Sequence, residues 1–207
     1  MRRWARGVLA VTVVLALGGA VILTWMGLGG GAACVAAKRD LDGRCVELDV
    51  EQDAAVGPDR GRFQAPEQGL DVPLVEMAAS GGVLNPPTLT EAFLVRDPER
   101  TTPDGTRPRV VAMHAVRDGR APGNAFFEPG VRNPAVRVSA GDELVVDGVP
   151  YVVESTEVLT KAQAASSPEI WGGHPDGDER LVVLTCLQRT GATGPATENL
   201  VVHAVRA

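Results

Sequence analysis

The chain has 207 residues with 20 Lys plus Arg against 26 Asp plus Glu, a net charge of −6 that excludes a phosphate-backbone partner, because nucleic-acid binding needs clustered cations. With an apolar amino terminus set aside, the remaining length fits one folded core. Only three cysteines are present, too few for a small disulfide scaffold, so each has to be explained individually.

Residues 1–7 form a basic flank carrying Arg2, Arg3 and Arg6. From Val8 to Leu28 no charged residue occurs, and Thr12 and Thr24 are the polar side chains. That run matches the roughly 20 residues a helix needs to cross a hydrocarbon core, and it exceeds the about 7–15 residues of a signal-peptide core. It predicts a retained transmembrane anchor over 8–28, with Trp4 and Trp25 at the two interfaces. The basic flank then stays cytoplasmic and everything after Gly29 lies outside. Cleavage near Ala32-Ala33, or lipidation at Cys34, is the alternative.

Residues 29–61 carry Asp40, Asp42, Glu47, Asp49, Glu51, Asp53 and Asp59 with few large apolar side chains, and they read as an extracellular linker. Cys34 and Cys45 both fall in it. In an oxidising compartment a local disulfide between them is the simplest reading, and it leaves Cys186 as a free thiol.

The segment 62–207 is the folded domain, and its pattern is that of strands and turns. Strands are predicted at 70–76, 92–95, 109–114, 136–138, 181–186 and 199–205. Two β-branched runs flank Asp147-Gly148 between Glu143 and Val153, a hairpin signal. One or two helical turns fall within 160–170. Short strands separated by Gly and Pro point to a mainly β fold, a closed barrel or a sandwich.

Cys186 ends the apolar run Leu181–Thr185. A lone cysteine in a strand is commonly a buried structural residue. Nucleophilic work requires a histidine within reach, since the thiolate is the attacking species. Three histidines are candidates. His174 lies in a loop entering the strand that Cys186 ends, some 17 Å away at about 3.3 Å per residue. His203 is well along the last strand; if that strand pairs antiparallel with 181–186, its start is the part near Cys186 and His203 is a sheet-face residue. His114 ends the run Val110-Val111-Ala112-Met113, a strand-end position comparable to that of Cys186. Acyl transfer also gains from a fixed donor near the oxyanion, and Arg189, three residues past Cys186, is the candidate; Arg206 is some 24 Å along the last strand.

At these residues the chain resembles the sortase family. Val182-Val183-Leu184-Thr185-Cys186 is similar to the sortase motif T-L-x-T-C with its first threonine replaced by valine, and Val111-Ala112-Met113-His114 is similar to the strand delivering the sortase histidine. The similarity runs in order through Arg62-Phe63-Gln64-Ala65-Pro66, Gly69–Leu74, Phe126-Phe127, Val138–Asp142 and Val149–Val153. It is most like the class F sortases of actinobacterial type. It implies an eight-stranded β-barrel with one or two short helices and a cysteine transpeptidase at the plasma membrane. Cys186 then attacks the Thr–Gly bond of an L-P-x-T-G-like sorting signal on a secreted protein, forming a thioester. By the same likeness His114 moves the protons, Thr185 positions the substrate or thiol, and a cell-wall precursor amine resolves the thioester. Sortases commonly carry an arginine where the last strand begins. Here that stretch reads Ala196-Thr197-Glu198-Asn199-Leu200, which leaves Arg189 as the substitute.

No dense cluster of carboxylates stands in one loop, so neither a metal nor a cofactor is expected. Two other classes compete. An L,D-transpeptidase is expected to place Gly immediately before its cysteine, where this chain has Thr185. A catalytically weak or inactive domain of the same fold would only bind sorting signals or wall polymer.

Overall fold

The two residues between the predicted β-branched runs decide a local geometry. Asp147 and Gly148 both adopt positive φ, 54° and 75°, the pairing a two-residue hairpin turn needs to match the twist of its flanking strands. They join β7 (Glu143–Val146) to β8 (Val149–Thr160), with Val146 opposite Val149. The computed structural model describes residues 37–47, 56–79, 84–96, 107–128, 130–173 and 179–207, all within the unit Ala36–Ala207. The anchor expected over 8–28 lies outside the described residues, among which no helix is long and apolar enough to cross a membrane.

The remaining strands are β1 (Ala37–Arg39), β2 (Cys45–Glu47), β3 (Val56–Ala65), β4 (Leu70–Ala78), β5 (Ala92–Arg96), β6 (Arg109–Met113), β9 (Arg180–Cys186) and β10 (Glu198–Arg206). Two short helices, α1 (Lys161–Ser166) and α2 (Pro168–Trp171), follow β8. Strands β3 to β10 form a closed eight-stranded barrel in the order β10-β8-β7-β3-β4-β5-β6-β9. The mainly β expectation, with a closed barrel and two short helices, is what the structure has. Closure leaves no unpaired edge, the usual hazard of an open sheet.

Most pairs in the barrel are antiparallel. Two are parallel, β4 with β5 and β6 with β9. The second explains the unbroken apolar runs of β6 and β9, whose residues are buried on both faces. Val111, Met113, Leu181 and Val183 point into the barrel core with Leu200, Val202 and Tyr151. Val110, Val182 and Leu184 point outward and are covered by Ala164 of α1 and Ile170 of α2. Thr160 caps α1: its hydroxyl accepts from the Gln163 backbone N–H, while the Gln163 side chain accepts from the Thr160 N–H.

Two expectations need correction. The stretch 29–61, read as a tether, contains the β1–β2 hairpin and the first part of β3. The hairpin docks because one acidic residue bonds to backbone instead of water. Asp40, 2% exposed, accepts N–H bonds from Asp42, Arg44 and Arg120 at 3.0, 2.8 and 2.8 Å. Val46 packs on Leu89, Val116 and Ala121 beside it. The strand expected at 136–138 is reduced to one bridge, Phe127 with Val136. Its Val138 is buried, but Pro134 has no N–H to extend a ladder.

Candidate functional site

The pleat and the register place Cys186 and His114 together. In the β6–β9 pair the last matched residues are Met113 and Thr185, so His114 and Cys186 follow side by side at the same ends of neighbouring strands. Neighbouring strands lie about 4.7–4.9 Å apart. Side chains alternate, and Met113 and Thr185 are buried. His114 and Cys186 therefore share the face of Ala112 and Leu184, outside the barrel and against α1. Both line one cavity of about 710 Å³, the size of a small-ligand or peptide cleft.

The exit of β9 is fastened to the exit of β6 on one side and to the start of β10 on the other. Gln188 Nε2 donates to the Ala115 carbonyl at 2.9 Å, and Leu187 N donates to the Glu198 carbonyl at 2.9 Å. Gly123 N donates to the His114 carbonyl at 2.8 Å. Buried Asn124 closes the loop after His114: Oδ1 accepts from Val116 N and Ala121 N at 3.0 and 2.9 Å, and Nδ2 donates to Val116 O at 2.9 Å. Only glycine fits at 123, since a Cβ there would lie 1.9 Å from Thr185 Oγ1 and 2.8 Å from the His114 carbonyl.

His114 Nε2 lies 2.7 Å from the Pro86 carbonyl. A carbonyl only accepts, so the proton of this contact sits on Nε2 and orients the ring. Cys186 is a free thiol, partly exposed. Burial pushes its pKa above the ordinary value, and the Lys161 cation on α1 pulls in the opposite direction. The resting thiol is thus mostly protonated at neutral pH, and its activation depends on a nearby base.

Thr185 is buried, and its hydroxyl has no hydrogen-bond partner. Arg189 is not brought into the cavity lining: its Nε and Nη2 reach Glu198 Oε2 at 2.9 and 2.7 Å, and Nη1 reaches Asn133 Oδ1 at 3.3 Å. Arg206 pairs with Glu179 at 3.2 Å. His203, opposite Val182 on β10, places Nε2 2.9 Å from Glu157 Oε1, the sheet-face position expected of it. His174 lies outside the described residues. Cys45 is disulfide-bonded, and its expected partner Cys34 also lies outside the described residues.

Other lining residues were not foreseen as part of the site. Leu84, Ala164, Trp171 and Leu184 supply an apolar wall, Lys161 and Arg117 supply cations, and Cys45 and Val46 reach in from the hairpin. Lys161 carried one signal in the sequence, the Thr160-x-x-Gln163 capping pattern that places it in the first turn of a helix. Arg117 lies three residues after His114, in a loop where sequence alone does not tell a lining side chain from a solvated one. Among the described residues no group of three or more His, Cys, Asp or Glu is placed to hold a metal ion.

No protein-family profile matches the chain, and no curated protein sequence matches it. Solved structures do resemble it. Sortase A of Listeria monocytogenes is 15% identical over 72% of this chain and 87% of that chain, with a TM-score of 0.47. Sortase C of Streptococcus pneumoniae is 16% identical over 74% and 69%, with a TM-score of 0.47. Sortase C-1 of Actinomyces oris is 16% identical over 78% and 75%, with a TM-score of 0.48.

Proposed function

We propose that the protein is a cysteine transpeptidase of the sortase kind, class F-like in its motifs, which cuts a sorting signal and passes the acyl group to an amine. The observation that carries this reading is the placement of His114 and Cys186 at adjacent ends of the parallel pair β6–β9, on one face, in one cavity. The base takes the thiol proton, and the thiolate attacks the carbonyl carbon of the Thr–Gly bond. The resulting tetrahedral oxyanion collapses with cleavage of the C–N bond. The imidazolium returns its proton to the departing amine, leaving a thioester on Cys186. An incoming amine, that of a cell-wall precursor, loses a proton to His114 as it attacks, and the thiol is regenerated.

The cellular setting belongs to the same proposal. Val8–Leu28 serves as a single-pass anchor with residues 1–7 in the cytoplasm, and the domain faces outward, meeting secreted proteins that bear the signal. The anchor's length and basic flank support this, as does the disulfide at Cys45, since disulfides persist in oxidising compartments. Incubating the full-length protein with a peptide containing L-P-x-T-G and a glycine-type amine tests the activity. The expected product is the peptide cut after Thr and joined to the amine, and Cys186→Ala abolishes it.

A second reading has one observation in its favour. The engagement of Arg189 by Glu198 and Asn133 outside the cavity fits a domain that binds sorting signals without transferring them. Peptide binding with no cleavage by the wild-type protein would select it.

A further inference from the structure

Acyl transfer through a tetrahedral intermediate needs a donor where negative charge develops on the carbonyl oxygen. The start of β10, where the resemblance leads one to look for an arginine, holds Glu198 and Asn199, and Asn199 is the residue opposite Cys186. Arg189 is paired elsewhere. Two cations remain in the cavity wall, Lys161 and Arg117, with Asp118 the carboxylate beside them.

We propose that Arg117 is the residue that receives the substrate's reacting carbonyl oxygen. This assignment rests on the acyl-transfer reading. Three observations single out Arg117. Its guanidinium is tethered at one end, Nη2 donating to the Gly194 carbonyl at 2.8 Å, so that it bridges the loop after His114 and the loop after Cys186. Its Nε is buried with no hydrogen-bond partner. It lines the cavity that Cys186 and His114 line. Native proteins rarely keep a buried charged donor unpaired, because the lost solvation is not returned. The Arg117 guanidinium is thus short of one hydrogen-bond partner, and an extended peptide carries the carbonyl groups that complete it.

Lys161 is the poorer candidate for this role. It is exposed at the first position of α1, and what it does for the site is electrostatic, drawing the Cys186 pKa down against burial. Arg117 instead offers a planar guanidinium held by one bond and free to make another. As the Sγ–C bond forms, the carbonyl π pair moves onto oxygen and the Arg117 N–H bond to it strengthens. When the C–N bond breaks, the pair returns and the carbonyl reforms in the thioester. Arg117 keeps all its protons throughout.

The test uses the full-length protein in detergent, an L-P-x-T-G peptide to form the thioester, and iodoacetamide as a probe of the thiol that has no need of an oxyanion donor. Arg117→Ala and Arg117→Gln are expected to slow thioester formation by about 10²–10³-fold, with alkylation of Cys186 changed only a few-fold. Arg117→Lys recovers part of the acylation rate by keeping the charge. Arg189→Ala stays within a few-fold of wild type, as a solvent-screened ion pair allows. Near-normal acylation by Arg117→Ala and Arg117→Gln overturns the assignment and leaves the acyl-transfer reading intact. So does an equal loss of acylation and alkylation in both variants, which marks a structural role. A wild-type protein that forms no thioester removes the acyl-transfer reading, and the assignment falls with it.

Discussion

Strand β9 has two neighbours, and they treat the residue at its end differently. On one side β6 runs parallel, so both strands finish at the same end and deliver His114 and Cys186 to one point. On the other side β10 runs antiparallel, so its beginning lies there: Asn199 faces Cys186, and His203 is carried back to a position opposite Val182. Four residues at about 3.4 Å each separate those levels, roughly 14 Å. Two histidines on strands flanking the same cysteine strand therefore stand at different levels, His114 beside Cys186 and His203 beside Val182. A parallel pair gathers the ends of two chain segments, which is where loops bearing function leave a sheet.

The sharpest way to break this comparison is to remove each histidine in turn. His114→Ala is expected to reduce amine transfer by about 10²–10⁴-fold, the usual contribution of a positioned acid–base group. His203→Ala, which removes a contact to Glu157 on the flank away from the cavity, leaves transfer within a few-fold of wild type. Equal losses from the two substitutions would mean that strand direction is not what selects the base.

A smaller effect separates the fastening of the two flanks from their chemistry. Asn124→Ala leaves Val116 N, Val116 O and Ala121 N without their partner, and a destabilisation of about 1–3 kcal/mol is expected, read as a lowered denaturant midpoint. Gly123→Ala forces a Cβ against Thr185 and the His114 carbonyl, and a loss of similar size follows from overpacking, about 1–3 kcal/mol. On the β10 side, Val201→Ala trims a buried side chain packed with the outer cluster, yet transfer per folded molecule is expected to hold.

The smallest effect concerns charge. Lys161→Met removes the cation that opposes burial, so the Cys186 pKa rises further and alkylation at neutral pH slows a few-fold. Raising the pH restores the rate as the thiol ionises. An unchanged pH profile would show that Lys161 does not act on the thiol.

How much of this was legible in the sequence depends on what each residue contacts. The β7–β8 turn announced itself because Asp-Gly supplies both positive φ values from its own chemistry. Cys186 and His114 were legible as strand ends because the runs before them are continuously apolar, which is itself the mark of a strand buried on both faces. The far half of β8 was not. Its Ser155, Thr156 and Glu157 look like loop, and they are strand because β10 pairs with them across a long separation in sequence. The β1–β2 hairpin was misread for a related reason: Asp40 counted toward a solvated tether, whereas backbone N–H groups 2, 4 and 80 residues away satisfy its carboxylate. The positions of Arg117 and Arg189 were equally hidden, since both sit in loops whose course is set by contacts far along the chain, at Gly194 and Asn133.

The central claim, that the parallel pair makes His114 the partner of Cys186, is tested most directly by the rate of Cys186 alkylation against pH, a reaction that needs no peptide. Burial alone raises the thiol pKa, so reactivity at neutral pH depends on the neighbouring imidazole drawing the proton away. His114→Ala is therefore expected to be alkylated more slowly than wild type near pH 7 and to converge with it at high pH, where the thiol ionises unaided, while His203→Ala follows the wild-type curve. A His114→Ala profile that superimposes on wild type, or a His203→Ala profile that departs from it in the same way, would contradict the pairing.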